Sequence, residues 1–417
     1  MTPEGETKPP GADAAAGLEN PEQTPNVEQP AAQPPVWRKP EDSEWEPLTP
    51  ETNAATRKLE SKPRDDLKNM LLGSLQMQNV VVLAGCGCSR SAGGPSMQNL
   101  WECAVGLVPS EKTMKMAKKV GHDIEDKNVE GLLSRVEAFL QISDDADVRE
   151  FLNQSKKAIL DRCSAFLDSA ELGPHRTFLH RMARRRVRDE RLRIFTTNYD
   201  LCFERAARDV GELAIDGFSF SAPRQYDPRF FAYDIVRRLC GGNSPEHYLE
   251  GVFLLYKLHG SVNWARDKQG VIREKEHPEP EEACLVYPAS GKYQQSFVQP
   301  YLESVAQYLG ALREPNTCLL TVGFGFNDAH LAEPLLAAAQ TNPHLRLIVV
   351  DLHAKDKMEG PKPNSYCAKL LDLSKSGEDI WLINAGFEEF AKLIPDLKSL
   401  TPAESLLKAV QGVAKVQ

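Results

Sequence analysis

The stretch VVVLAGCGCS, residues 80–89, decides the fold of this chain. Its first five residues form a continuous apolar run rich in valine, which is typical of a strand buried on both faces of a sheet. A glycine-rich turn begins at Gly85, and a helix is predicted to start near Ser96. This order predicts an α/β unit whose turn amides approach a phosphate-bearing ligand. The turn matches neither a Walker loop nor a full dinucleotide fingerprint, so a turn without a ligand stays open as the alternative.

Further strands and helices alternate downstream of this unit. Apolar runs predict strands at 192–196, 252–258, 283–287, 318–322, 345–350 and 381–384. Helical patterns at 201–207, 301–312 and 330–340 fall between them. This alternation predicts the α/β class with a doubly wound, Rossmann-like parallel sheet. In such sheets the ligand lies at the carboxyl ends of the strands.

An inserted helical subdomain is predicted between the first two strands, over about residues 105–190. Its helical segments are expected at 129–142, 147–167 and 175–187. The whole sheet domain is expected to span residues 63–400 and to begin with a helix over 64–78. The arginine-rich stretch 184–193 is interpreted as a solvated helix end rather than a nucleic-acid contact.

Both ends of the chain differ from this domain in composition. Residues 1–62 are rich in proline and poor in apolar residues, which predicts a disordered tail, because such a segment buries too little surface to offset its ordering entropy. Residues 401–417 predict a C-terminal helix that packs on the domain or joins subunits.

The bulk composition excludes several classes of protein. The 417 residues include 41% hydrophobic and 26% charged residues, as in a soluble globular protein. No run of 18 apolar residues occurs, so no membrane span is expected, and the net charge of -9 makes direct nucleic-acid binding unfavourable. Nine cysteines without a regular framework, and no leader peptide, predict a cytoplasmic location. No Cys-x-x-Cys pair occurs, so no structural zinc site is expected.

Two polar motifs stand at predicted strand ends. FTTNYD, residues 195–200, offers the amide of Asn198 and the carboxylate of Asp200, which suit a carboxamide, a ribose or a water molecule. The alternative is an Asx turn in which Asp200 caps the next helix. KLHGS, residues 257–261, places His259 before a glycine, and an imidazole suits proton transfer near neutral pH. The alternative is a structural histidine.

Two later strand ends complete the pattern. VGFGFND, residues 322–328, ends a strand in Gly323 and Gly325. The run 348–351 ends in Asp351, an acidic residue of the kind that accepts hydrogen bonds from ribose hydroxyls. The alternative for Asp351 is a carboxylate that only starts a loop.

The order of these motifs resembles the sirtuin (SIR2-like) superfamily. It is most similar to the SIR2-like domains of bacterial antiphage defence proteins. Those domains share a GAG-x-S loop, Gly-x-Pro, TTNYD, K-x-HG and a strand that ends in glycine before an aspartate. The corresponding segments here are 85–89, 94–95, 196–200, 257–260 and 323–328, so the resemblance covers about residues 79–351.

The resemblance implies a role for each matching residue. Gly85, Gly87 and Ser89 would hold the diphosphate of NAD. Asn198 would hold a ribose or water beside the scissile bond, Asp200 would place the nicotinamide end, and His259 would act as general base. Residues expected on the adenosine side are Gly323, Gly325 and Asp351. Other residues expected to line the NAD site are Cys86, Pro95, Thr197 and Asp328.

Departures from the sirtuin deacylases narrow the expected reaction. The zinc module with two Cys-x-x-Cys pairs is missing, and Ser96-Met97 stands where deacylases carry Phe-Arg. Cys86 replaces the usual alanine, and Gly325 stands where many relatives have serine. The resemblance therefore implies hydrolysis of NAD, without a metal, to nicotinamide and ADP-ribose rather than protein deacylation.

The predicted protein is an NAD glycohydrolase that acts as an antiphage effector. Because constant activity would drain the cell of NAD, we expect gating by assembly, with a homo-oligomer and a partner such as a HerA-type ATPase. Transfer of ADP-ribose, protein deacylation and a non-catalytic module that senses NAD or ADP-ribose by oligomerising stay open as alternatives.

Overall fold

The computed structural model describes residues 34–49, 51–52, 59–186, 189–236, 248–288 and 298–396. The segment predicted to be a C-terminal helix, 401–417, and residues 1–33 of the predicted tail lie outside the described residues. The account below concerns the unit Pro34–Gln417.

The strands and helices follow one another in chain order. The strands are β1 (Val36–Arg38), β2 (Glu46–Pro47), β3 (Glu51–Thr52), β4 (Leu59–Glu60), β5 (Asn79–Ala84), β6 (Leu192–Thr196), β7 (Leu213–Ile215), β8 (Val252–Lys257), β9 (Gly260–Arg266), β10 (Ile272–Glu274), β11 (Ala283–Leu285), β12 (Thr317–Val322), β13 (Leu345–Asp351) and β14 (Ile380–Asn384). The helices are α1 (Lys62–Ser74), α2 (Met97–Val105), α3 (Glu111–Lys119), α4 (Val129–Ile142), α5 (Ala146–Ala165), α6 (Gly173–Met182), α7 (Cys202–Val210), α8 (Tyr301–Ala311), α9 (Ala329–Thr341), α10 (Ala354–Glu359), α11 (Ser365–Lys375) and α12 (Phe387–Leu393).

A nine-stranded sheet organises the described fold, in the order β2-β1-β14-β13-β12-β5-β6-β8-β7. Every neighbouring pair from β14 to β7 is parallel. From β5 the chain continues to β6 and β8 on one side of the sheet. The later strands β12, β13 and β14 lie in that order on the other side of β5. The strand order therefore reverses between β5 and β12, which is where ligands bind in doubly wound sheets.

Helices cover both faces of this sheet, as the unbroken apolar run of β5 predicts. Val80 and Val82 pack toward a core that includes α1, α6, α7 and α12. Val81 and Leu83 point to the opposite core, which includes α8, α9 and α11. All four valine and leucine side chains are fully buried. Side chains alternate along a strand, so only a strand covered on both sides needs apolar residues at every position. The predicted doubly wound fold is confirmed.

The helical insertion has a core of its own, but its boundaries differ from the prediction. Helices α2, α4 and α5 pack around Leu100, Trp101 and Leu132, together with residues of β9 and β11. The insertion therefore begins at α2, before residue 105. Helix α6 does not belong to it, because Phe178 and Leu179 join the core of the main sheet.

The tail prediction was wrong for residues 34–49. β1 pairs antiparallel with β14, and Trp37 is only 1% exposed. The Trp37 ring stacks on Trp381 with 5.6 Å between centroids, and Leu48 is equally buried. Composition averaged over 62 residues hides these few apolar side chains, whose burial stabilises the segment together with its pairing to β14.

A second, three-stranded antiparallel sheet consists of β10, β9 and β11. The predicted strand at 283–287 appears here as β11 and not in the main sheet, since it pairs with β9. Strands β7, β9 and β10 were not predicted. None of the helices in the described ranges has both the length and the apolar character to cross a membrane.

The arginine-rich stretch is largely structural, which corrects its interpretation as a solvated helix end. Arg185 is buried and donates hydrogen bonds to main-chain carbonyls, including that of Leu75 at 2.9 Å. Arg191 forms an ion pair with Asp234 at 2.8 Å. Arg185 thus ties the segment after α6 to the segment before β5, and Arg191 ties the start of β6 to the loop that carries Asp234.

Candidate active site

The carboxyl ends of three neighbouring strands lie at one level of the sheet. Ala84 of β5 pairs with Thr196 of β6, and Thr196 pairs with Lys257 of β8. Asn198 and His259 each follow the end of their strand by two residues. Because adjacent strands are about 4.8 Å apart, the register alone brings two residues from distant parts of the chain to the same sheet edge.

A cleft opens above these strand ends and contains about 920 Å³ of empty space, part of it open to solvent. The residues of the sequence prediction that line it are Gly85, Cys86, Ser89, Pro95, Thr197, Asn198, Asp200, His259, Gly325 and Asp328. The predicted residues outside this lining are Gly87, Gly323 and Asp351.

Asn198 is held by hydrogen bonds to the glycine-rich turn. Its Nδ2 donates to the Gly85 carbonyl at 3.0 Å and to Ser89 Oγ at 2.9 Å. Its own main-chain N–H donates to Thr196 Oγ1 at 3.1 Å. The side-chain nitrogen is thus occupied within the protein, and Oδ1 is the atom of this amide that can accept a hydrogen bond from a ligand.

Asp200 combines the two roles that the sequence left as alternatives. Its Oδ2 accepts from Ser89 Oγ at 2.7 Å, so it joins the network of Asn198. Its Oδ1 accepts from the Cys202 N–H at 3.0 Å, which is an Asx turn at the start of α7. One carboxylate therefore lines the cleft and fixes the loop that carries it.

Lys257 stabilises the loop that carries Asp200. Its ammonium group is 2% exposed and forms an ion pair with Glu204 at 3.0 Å. It also donates to the main-chain carbonyl of Asp200 and to Ser261 Oγ. Burial raises the pKa of Glu204, although the nearby Lys257 lowers it. The lysine of the K-x-HG motif is thus a structural residue under the cleft.

His259 lies on the turn between β8 and β9 and is 3% exposed. Its main-chain carbonyl accepts from the N–H of Val286 at 2.9 Å. Gly260 follows with φ of +81°, and a side chain there would meet the Cys284 carbonyl, so glycine is required to turn the backbone behind the imidazole. The ring of His259 contacts His330, a residue that the sequence analysis did not single out.

The glycine-rich turn differs from the predicted phosphate loop. The amides of Gly85, Gly87 and Cys88 donate to protein carbonyls at 3.0 Å each, and Ser89 N does so at 3.1 Å. For the main-chain amide of Cys86, no such bond to a described residue occurs. Binding of a diphosphate by this turn stays a prediction.

The glycines of this turn serve close backbone packing instead. A Cβ atom built on Gly87 would lie 2.5 Å from the Cα atom of Gly323. Gly323 itself has φ of +59°, a left-handed conformation that favours glycine. The two loops therefore approach each other at the point where the strand order reverses, and they form the floor beside the cleft.

The carboxylate of Asp351, at the end of β13, is bound by other groups of the protein. Its Oδ2 forms an ion pair with Lys357 at 2.6 Å, and its Oδ1 accepts from the His353 N–H at 2.8 Å. β12 separates β13 from β5. Asp351 thus matches the alternative of a loop-start carboxylate, and a role toward a ribose stays a prediction.

The cleft is lined by acidic groups. Its charged side chains are the carboxylates of Glu130, Asp200 and Asp328, and no lysine or arginine occurs among its described lining residues. Tyr199 Oη donates to the Val286 carbonyl at 2.6 Å, and burial raises the pKa of this phenol well above its usual value. The carboxylate of Asp200 favours a ligand end that carries positive charge.

Some lining residues could not be found from the sequence. Residues from the helical insertion and elsewhere that line the cleft are Met97, Leu100, Glu130, Cys163, Phe166, Pro288, Phe324 and Asn327. Those of the insertion lie in ordinary helices, and nothing in their local sequence indicates which face turns toward the sheet. No group of three or more potential metal-ligating side chains occurs in the described ranges.

Part of the chain matches a known family model, and the chain is similar to several solved structures. Residues 192–366 match the family model of the SIR2-like domain. No curated protein matches the sequence. Among solved structures, the chain is similar to a Sir2 bound to acetylated peptide, with 12% identity over 78% of this chain and 95% of that chain, at a TM-score of 0.39. It is also similar to a Sir2 homolog–NAD complex, with 14% identity over 78% of this chain and 91% of that chain, at a TM-score of 0.39.

Proposed function

We propose that the cleft binds NAD and hydrolyses its nicotinamide–ribose bond to give nicotinamide and ADP-ribose. The observation that carries the proposal is the convergence of Asn198 and His259, with Gly85, on one cleft of a SIR2-like domain. An amide and an imidazole that come from neighbouring strand ends can face the same sugar of one ligand.

The charges of the cleft suit the reacting end of NAD. The pyridinium ring of NAD is cationic, and the carboxylate of Asp200, which accepts from the Ser89 hydroxyl and the Cys202 N–H, favours a positive group. The same charge disfavours the diphosphate in this part of the cleft. We therefore place the diphosphate toward the outer edge of the glycine-rich turn, where Cys86 has its main-chain donor.

Asn198 acts on the sugar through its carbonyl oxygen. Its Nδ2 is fixed by Gly85 and Ser89, so the orientation of the amide is set before a ligand binds. As the bond breaks, positive charge develops on C1′ and the ring oxygen of the ribose. An amide oxygen held nearby stabilises that charge, or accepts a hydrogen bond from the attacking water, without reorganising.

His259 supplies the base. Its imidazole takes one proton from the attacking water, the water oxygen bonds to C1′, and the electrons of the C1′–N bond go to the nicotinamide nitrogen. The leaving group needs no proton because it departs as neutral nicotinamide. Such base assistance contributes roughly 10²- to 10⁴-fold to a rate.

Gating by assembly completes the proposal. An enzyme that destroys NAD without control would harm its own cell, so we propose that self-association, with a HerA-type ATPase or another defence partner, brings the cleft to full activity. This part rests on the resemblance to antiphage SIR2-like proteins.

The test measures nicotinamide and ADP-ribose released from NAD by the purified chain, without any protein acceptor and with or without the candidate ATPase. We expect release by the wild type and a loss of at least about 100-fold in Asn198→Ala and His259→Ala. His344→Ala, an exposed histidine at the start of β13, is the matched control. ADP-ribose attached to an added protein, with no release of free ADP-ribose, would favour the transferase alternative. NAD binding without turnover, unchanged by Asn198→Ala, would favour the sensing module.

A further inference from the structure

His330 directly contacts the proposed base. The Nε2 atoms of His259 and His330 are 3.4 Å apart, and the ring centroids are separated by 5.4 Å with 33° between the ring planes. The two residues are 71 positions apart in the chain. His330 lies on the first turn of α9, two residues after Asp328, whose side chain lines the cleft.

The chemistry of imidazole limits what this contact can be. A neutral imidazole has one nitrogen that donates and one that accepts. Two Nε2 atoms can form a hydrogen bond only when one hydrogen lies between them. A bond to His330 therefore couples the tautomers of the two rings: when His259 donates from Nε2, its Nδ1 keeps the lone pair that a base needs.

The surroundings favour a positioning role over simple packing. His259 is 3% exposed, whereas His330 is half-buried and reaches solvent. His330 is not among the described lining residues of the cleft, whereas His259 is. The same short segment supplies Asp328 to the cleft, and a shift of the first turn of α9 would therefore move both groups.

We infer that His330 is a positioning residue for His259, and that a hydrogen bond between their Nε2 atoms fixes the orientation and the tautomer of the base. The kinetic consequence rests on the proposed NAD hydrolysis, whereas the effect on the His259 tautomer does not.

The kinetic test compares His330→Ala, His330→Gln and the His344→Ala control in NAD hydrolysis. We expect His330→Ala to lower kcat at least about tenfold, part of what a general base contributes, with KM for NAD changed less than twofold. His330→Gln keeps an amide that can bond to an imidazole, so it should recover most of the lost rate. Equal loss in both variants, with lower melting temperatures, would show a packing role and overturn the inference.

The second test needs no turnover. Long-range nitrogen–hydrogen NMR spectra of ¹⁵N-histidine-labelled protein report the tautomer of each ring, and His259→Ala identifies the signal of His259. We expect His330→Ala to shift the His259 ring nitrogens toward a different tautomer mixture, while His344→Ala leaves them unchanged. Unchanged His259 signals in His330→Ala would overturn the inference even if NAD is hydrolysed. A tautomer shift in a protein that never hydrolyses NAD would refute the proposed function alone.

Discussion

Asn198 donates a hydrogen bond from Nδ2 to the main-chain carbonyl of Gly85 at 3.0 Å, across 113 positions of sequence. The bond joins the residues just beyond the ends of β6 and β5, and Ser89 accepts a second bond from the same nitrogen. Only a donor fits here, because both partners present oxygen atoms to it. The amide is thereby a structural element of the cleft as well as a group for the ligand.

We predict that Asn198→Asp is as damaging as Asn198→Ala, although aspartate has nearly the same shape. The new carboxylate would face the Gly85 carbonyl oxygen without a hydrogen, and a buried charge without a donor is costly. NAD turnover should fall about 10²- to 10³-fold, as when one preorganised polar contact is removed. Gln340→Glu, the same amide-to-carboxylate change on the exposed end of α9, should keep wild-type turnover. Turnover of Asn198→Asp within threefold of wild type would refute the role of the donor.

Gly323→Ala should destabilise the protein, whereas Gly310→Ala should not. Gly323 has φ of +59°, and an added Cβ would lie 2.6 Å from the Cα atom of Gly87. Strain and overlap together should cost more than about 2 kcal/mol. Gly310 lies in α8 with no atom within 4 Å of an added Cβ, so alanine there should stabilise by up to about 1 kcal/mol. Urea unfolding of the two variants measures both free energies, and similar values would contradict the close packing of the two loops.

Because Glu212 is buried, we predict that the free energy of unfolding of the protein depends on pH. Glu212 is 7% exposed, neither carboxylate oxygen has a hydrogen-bond partner among the described residues, and burial raises its pKa to about 7 while Arg184 lowers it. Because the folded pKa lies above the ordinary glutamate value of 4.5, the folded protein holds the proton more tightly. The contribution of Glu212 to stability is therefore full below about pH 4.5 and is lost as the pH rises to about 7.

Glu212→Gln should remove the loss of stability at high pH, because glutamine does not ionise. The free energy of unfolding of the variant, relative to wild type, should rise by on the order of 3 kcal/mol between pH 4.5 and pH 8. Urea unfolding at the two pH values measures the difference, and the exposed Glu276→Gln provides the control. A difference that does not change with pH would contradict the burial of an ionisable, unpartnered carboxylate at this position.

Trp37→Ala tests the ordered segment before α1. The ring is 1% exposed and stacks on Trp381, so its loss should cost about 3–5 kcal/mol in the free energy of unfolding. Trp45→Phe mainly removes an exposed hydrogen bond to Glu359 and should cost about 1 kcal/mol or less. Equal effects of the two changes in thermal or urea unfolding would argue against a buried β1.

The main sheet could be predicted because its strands are covered on both sides. A strand such as β5 needs apolar side chains at each position, and that pattern is visible without a structure. β1 shows only Val36 and Trp37 in a proline-rich context, and its partner β14 lies more than 340 residues away. Short edge strands receive most of their stabilisation from such distant partners, so their own sequence carries little signal.

The candidate site was predictable to a similar extent. Asn198 and His259 follow strand ends, and the geometry of parallel sheets brings strand ends together. The packing of Gly87 against Gly323 could not be predicted, because a glycine needed to meet a ligand and one needed to meet another backbone look alike in sequence. Glu130 and His330 reach the site only through the packing of α4 and α9, which no local pattern specifies.

The pairing of β1 with β14 has a consequence for synthesis of the protein. Trp37 opposes Ile383, so more than 340 further residues must be synthesised before the strand that covers this indole leaves the ribosome. Until then the open edge of β13 presents unpaired main-chain N–H and C=O groups, with which a strand of another chain can pair. A polypeptide released early, before Ile380–Asn384, would keep both the edge and the tryptophan uncovered and would be prone to aggregate.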